Sequence, residues 1–188
     1  MSVRLSTPCI LLPGRMSEGT FGAVLQILLK ARLDLRLDSS GSRFYEEDVN
    51  AYLGGVLVSY IDPQYLKTIS GILTSRDVDL YQAIDRAMPD KAHVYRIYKV
   101  NADDLLLSLG IFHLEQRPEP ELGRIKEYYA CASECQKRIY GKPTAVAEIQ
   151  NKLSESTERY LAILARARRE YLNFVQQIPD ENLPDLLR

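Results

Sequence analysis

The chain predicts an all-α protein, and three observations carry that expectation. Apolar residues recur three and four apart through most of the sequence, which lines one face of a helix. Proline, glycine, aspartate and serine fall where helices start and stop. The stretch richest in β-branched and aromatic residues, HVYRIYKV at 93–100, has no evident partner, and a lone strand is unstable. The expected architecture is an N-terminal helical bundle over residues 1–118, with 1–16 as an extended arm, then a long antiparallel helical hairpin over 119–188.

The elements follow in order. Pro8 and Pro13-Gly14 make residues 1–16 an arm. From Ser17, a candidate N-cap, to about Leu37, the positions Phe21, Val24, Leu25, Leu28, Leu29 and Leu33 form an amphipathic stripe. LDSSGSR is a loop. Glu46, Glu47 and Asp48 then crowd a first turn, where negative charge suits the helix dipole, and that helix is expected to reach Ile61. Gly54-Gly55 also suits a tight hairpin, and with 93–100 as a further strand a small sheet would form in the N-terminal half. Asp62-Pro63 restarts a helix, Asp as N-cap and Pro at the first position, where its missing N–H costs nothing. Thr74 and Asp77 have capping-box spacing before VDLYQAIDRAM, which Pro89 closes. Residues 93–100 are taken as helix, and Asn101 with Asp103 and Asp104 is expected to open another, ending at Gly110.

HLEQRPEPE, with Pro118 and Pro120, marks the boundary. A helix over about 121–140 carries Leu122, Ile125, Tyr129, Ala132 and Ile139 on one stripe, with Gly141 as its stop. A second, from about Pro143 to Ile178, carries Val146, Ile149, Leu153, Tyr160, Ile163, Ala167 and Phe174 in a seven-residue repeat that Ser156 and Glu170 interrupt. The short link GKP makes the two antiparallel. At 1.5 Å per residue the second reaches about 50 Å and the first about 30 Å. About 20 Å of apolar stripe then needs cover, from the N-terminal helices or from a second copy of the chain.

Composition excludes more than it names. Apolar residues make up 46% and charged residues 26%, with a net charge of -1, and no acidic or basic tail is present. The N-terminal apolar run, Cys9 to Leu12, is too short for a secretory signal, and no window approaches a membrane span. Three cysteines make no disulfide framework. A cytoplasmic protein with no cofactor is expected.

Chemical signatures are sparse. Cys131 and Cys135 share a helix face as two corners of a metal site, near Arg124 and Arg138, which would lower a thiol pKa. The other soft ligands, Cys9, His93 and His113, sit in no recognisable spacing, so packing as small apolar side chains is preferred. Neither histidine lies in a catalytic motif. Gly19 and Gly22 lack the Lys-Ser/Thr of a phosphate loop, and GKPT at 141–144 has proline where a free N–H is needed. Glu46-Glu47 and Asp103-Asp104 are read as helix-start charges. Lys152, Arg159 and Arg166, seven apart, with Arg168 and Arg169 nearby, are read as a salt-bridging flank in preference to a phosphate-tracking row. Twelve tyrosines and no tryptophan suit an interface. The expected function is therefore non-enzymatic assembly, with itself or another protein, through Tyr160, Ile163, Ala167 and Phe174. Two alternatives stand beside it: a helix-turn-helix regulator built on 62–74 and 76–88, and an enzyme or small-ligand carrier with a pocket in the bundle.

Overall fold

The structure, a computed structural model, describes residues 18–37, 47–112 and 119–171. Among them every regular element is helical: α1 Glu18–Asp34, α2 Glu47–Ile61, α3 Pro63–Ile69, α4 Asp77–Ala87, α5 Lys91–Leu107, α6 Glu119–Tyr140, α7 Ala145–Glu155 and α8 Thr157–Tyr171. The all-α expectation holds, and no described helix is long and apolar enough to cross a membrane. The arm, Ser17, most of LDSSGSR, Pro118 and the residues beyond Tyr171, Phe174 among them, lie outside the described residues.

The first half follows the expected helix over 51–60 and differs from expectation at Asn101 and Thr74. Residues 51–60 are helix, because α2 is buried on nearly every side and tertiary packing outweighs the propensity of Gly54-Gly55. A Cβ on Gly54 would stand 3.2 Å from the Leu25 side chain and 3.3 Å from the Phe21 ring, so the bare backbone lets α1 approach closely. Asn101 opens no helix; it sits buried inside α5, whose true N-cap is Asp90. Asp90 Oδ1 accepts from the Ala92 and His93 amides at 3.0 and 3.2 Å. Asn101 instead donates to the carbonyls of Ile97 and Ile72, and accepts from the Thr74 amide and hydroxyl. It thereby clips the α3–α4 connection onto α5. Thr74 is thus no capping-box residue, and Arg76 holds the N-cap position of α4 without a side-chain bond. Asp62-Pro63 behaves as expected, Asp62 accepting from the Gln64 amide at 2.9 Å.

Residues 108–112 widen α5 into a π turn. Gly110 lies there against α8, where an added Cβ would come within 2.8 Å of the Leu164 side chain. Only a residue without Cβ allows that contact.

The long final rod does not exist. α7 ends at Ser156, whose φ of -125° and ψ of 35° break the helix, and α8 starts one residue later. The Thr157 hydroxyl bonds to the Leu153 and Ser154 carbonyls, the local competition by which Ser and Thr disturb helices. α6 turns back through Gly141, at φ 68°, and Thr144 into the short α7, and the two pack antiparallel. α8 then lies against α1 and the π turn. Tyr160, Ile163 and Ala167 are at most 1% exposed, within their own chain. The stripe expected to need a second copy is covered by the N-terminal helices, so the geometric reason for assembly through it is gone. Lys152 pairs with Asp48 of α2 at 2.7 Å, Arg166 with Asp34 of α1 at 3.3 Å, and Arg159 donates to the Leu37 carbonyl at 2.7 Å. The basic row is a flank that ties α7 and α8 to the first helices. One apolar cluster, from Leu28 to Ala167, draws on residues both before and after Pro118.

Candidate functional site

Two regions along the α5–α6 pair hold the polar side chains of interest. The first centres on Asp103, which is fully buried near the end of α5. The hydroxyls of Tyr52 on α2 and Tyr129 on α6 both donate to its Oδ1 at 2.8 Å. Lys99, one turn earlier, donates to Oδ2 at 2.6 Å and stands 5.4 Å from the centre of the Tyr52 ring. The helix-start explanation for Asp103 and Asp104 therefore fails, because they lie late in a helix and their partners come from elsewhere. Burial first, then the neighbouring Asp103 charge, drives Tyr52 and Tyr129 well above the ordinary tyrosine range. For Lys99 burial opposes the charged form, but Asp103 and the tyrosines outweigh it and raise its pKa. The Tyr60 hydroxyl is buried beside Asp104, and burial is the leading influence that raises both groups. A carboxylate with three donors, a lysine held protonated and tyrosines held neutral supply no base and no nucleophile. The cluster is a clamp joining α2, α5 and α6.

Cys131 and Cys135 lie half-buried on α6. Burial is the leading influence on both and pushes each thiol up, Arg138 being too weak to reverse it. Arg124 is directed elsewhere, to Asp77 at 2.6 Å. Cys131 neighbours Tyr98, not a metal ligand, and among the described residues no group of three or more His, Cys, Asp or Glu stands where it would hold an ion. His113 and Cys9 lie outside the described residues.

The second region is the other end of the same helix pair. Tyr129 meets Asp103, while Gln136 and Gln150 meet Tyr95, so α5 and α6 run antiparallel. Continuing that register brings the first residue of α5, Lys91, level with Tyr140 at the end of α6. Two acid-free stretches, 91–102 and 135–147, are thereby brought side by side. Lys91, Arg96, Lys137 and Lys142 form no ion pair among the described residues, and Arg138 pairs only within its own helix, with Glu134 at 3.0 Å. Tyr140 is 61% exposed here, and Met88, in the α4–α5 turn, 63%. Of the acids near this end, Asp90 is bonded to its own helix, Glu134 pairs with Arg138, and Glu148 is exposed in the first turn of α7. At the opposite end acidic first turns of α4 and α6 gather, and Asp77, Asp79 and Glu158 are paired with Arg124, Arg76 and Lys126. The whole-chain balance of charge thus conceals a local basic cluster at the end that holds Lys91 and Tyr140. Lysine and arginine clustered without acids in 91–102 and 135–147 was the sequence signal for it.

The helix-turn-helix expectation finds short helices, α3 and α4, but residues 70–76 between them exceed the usual 3–4-residue turn. Tyr81 of α4 donates to Glu127 of α6, and Asp77 is tied to Arg124 and Tyr128, so part of the expected reading helix is engaged internally. No protein-family model, curated protein or solved structure matches the chain.

Proposed function

We propose that the chain is a non-catalytic binding protein that engages an acidic surface of another protein through the end formed by Lys91, Arg96, Lys137, Tyr140 and Lys142. The observation that carries this reading is the convergence of two acid-free stretches around the exposed Tyr140 and Met88. Cations without an ion-pair partner among the described residues favour an acidic partner. Tyrosine and methionine are enriched in protein interfaces and supply apolar anchors that a phosphate backbone does not match. A second copy is the poorer occupant, because several acids at its opposite end already hold its own cations.

The test uses a labelled peptide of alternating glutamate and leucine, with duplex DNA of similar charge beside it. Anisotropy should show peptide binding that weakens with salt and is lost in the double variant Lys137→Glu/Lys142→Glu. Equal or tighter binding of DNA, or peptide binding indifferent to the charge reversal, would overturn the reading. Light scattering on a size column, with a concentration-independent monomer mass, separates it from self-association.

A further inference from the structure

Beside that basic end, the end of α3, the last turns of α4 and the start of α5 enclose an open depression of about 320 Å³. Its apolar lining is Ile72, Ala83, Ala87 and Ile97, and its polar lining is Arg86 and His93. The volume falls at the small end of ligand pockets, enough for a chain of roughly six carbons. The Arg86 Nε donates to the Gln82 carbonyl at 3.1 Å, which anchors the guanidinium at its base, and Arg86 has no carboxylate partner among the described residues. Asp85 is exposed on α4, and Asp90, three residues before His93, is already bonded to the Ala92 and His93 amides. An apolar wall with an uncompensated guanidinium and an imidazole fits a ligand with an apolar body and a negative head.

We infer that this depression binds a small apolar group bearing a carboxylate, with the hydrocarbon against Ile72, Ala83, Ala87 and Ile97 and the carboxylate on Arg86, assisted by His93. Two sources share that chemistry, a free short-chain acid and the C-terminal residue of a peptide. The inference goes beyond the acidic-surface reading and uses different residues.

The experiment titrates the full chain with hexanoate, with hexanol as its uncharged counterpart and acetate as the head alone, and follows amide chemical shifts. Hexanoate should saturably move Gly71, Ala83, Ala87 and Ile97. Hexanol and acetate should bind at least about tenfold more weakly, and the exposed substitution Arg86→Gln should weaken hexanoate by about tenfold, the usual effect of one charge-assisted hydrogen bond. A leucine-ending peptide that binds more tightly than hexanoate and loses binding on amidation assigns the site to a chain terminus, while hexanoate binding alone assigns it to a free acid; either supports the inference. Hexanol matching hexanoate, shifts centred elsewhere, or no saturation by any carboxylate overturns it. Lys137→Glu/Lys142→Glu should leave hexanoate binding unchanged, so this inference and the acidic-surface reading fail separately.

Discussion

The two ends of the α5–α6 pair use the same residue types to opposite effect. Around Asp103, two tyrosines and the carboxylate are buried beside a partly buried lysine, and donors meet an acceptor. Around Lys91 and Tyr140, tyrosine and lysine are exposed, with no carboxylate at ion-pair distance among the described residues. The difference is position along the helix, not chemistry. Where three helices converge, an ionic group must be partnered or its desolvation destabilises the fold. Where helices end, charges are solvated and cost the fold little. The buried ionic cluster therefore lies at one end, and the proposed binding surface at the other.

Asp103→Ala should break this contrast most severely. It leaves Lys99 and two buried hydroxyls without their acceptor, a loss of about 3–5 kcal/mol in urea unfolding. Asp103→Asn, which keeps an acceptor, should lose less, and an equal loss would show that hydrogen bonding is not what the cluster contributes. Alkali is the next test. Tyr52, Tyr129 and Lys99 all have raised pKa values in the folded chain, and Tyr128 is pushed up to about 12. The folded state thus holds its protons more tightly, so this stabilisation is complete below the unfolded values near 10 and disappears as pH rises through the folded ones. Tyrosinate absorbance should lag behind that of free tyrosine and then rise together with loss of helical circular dichroism. Separate, early ionisation of all tyrosines would contradict the clamp.

Gly110→Ala should cost about 1–3 kcal/mol by overpacking Leu164, and in a double-mutant cycle part of that should disappear against Leu164→Ala. Asn50 offers the reverse sign. It is 1% exposed and neither of its amide atoms has a partner among the described residues, so Asn50→Leu should raise stability by about 1 kcal/mol if the new side chain fits. Smallest of all on stability, Lys137→Glu/Lys142→Glu should change unfolding by under about 0.5 kcal/mol while abolishing acidic-peptide binding. A large loss of stability there would erase the contrast between the two ends.

Much of the helix pattern was legible because it depends on nearest neighbours. Asp62-Pro63, Pro89 and Gly141 each act within a turn of their own position, and the helices around them end where the residues indicate. What was not legible depends on partners far along the chain. Asn101 resembles a helix start until Ile72 and Thr74, nearly thirty residues earlier, use its amide. Asp103 resembles a dipole charge until Tyr52 and Tyr129 converge on it. The break at Ser156 was visible as an interruption of the repeat, but its consequence was not, because only the packing of α8 on α1 decides that Tyr160, Ile163 and Ala167 face inward. The basic end was present as two acid-free stretches some forty residues apart, which only the antiparallel register of α5 and α6 sets together.

A near-neutral total of -1 hides a local property of that register. Lys91, Lys137 and Lys142 gather at one end of the helix pair, whereas Asp77 and Asp79 in the first turn of α4 are already paired with Arg124 and Arg76. A patch of one sign attracts an oppositely charged surface before any contact forms. The reach of that attraction shrinks with the Debye length, from roughly 30 Å at 0.01 M salt to about 8 Å at 0.15 M. Association rates with an acidic peptide measured across that range will report the patch directly.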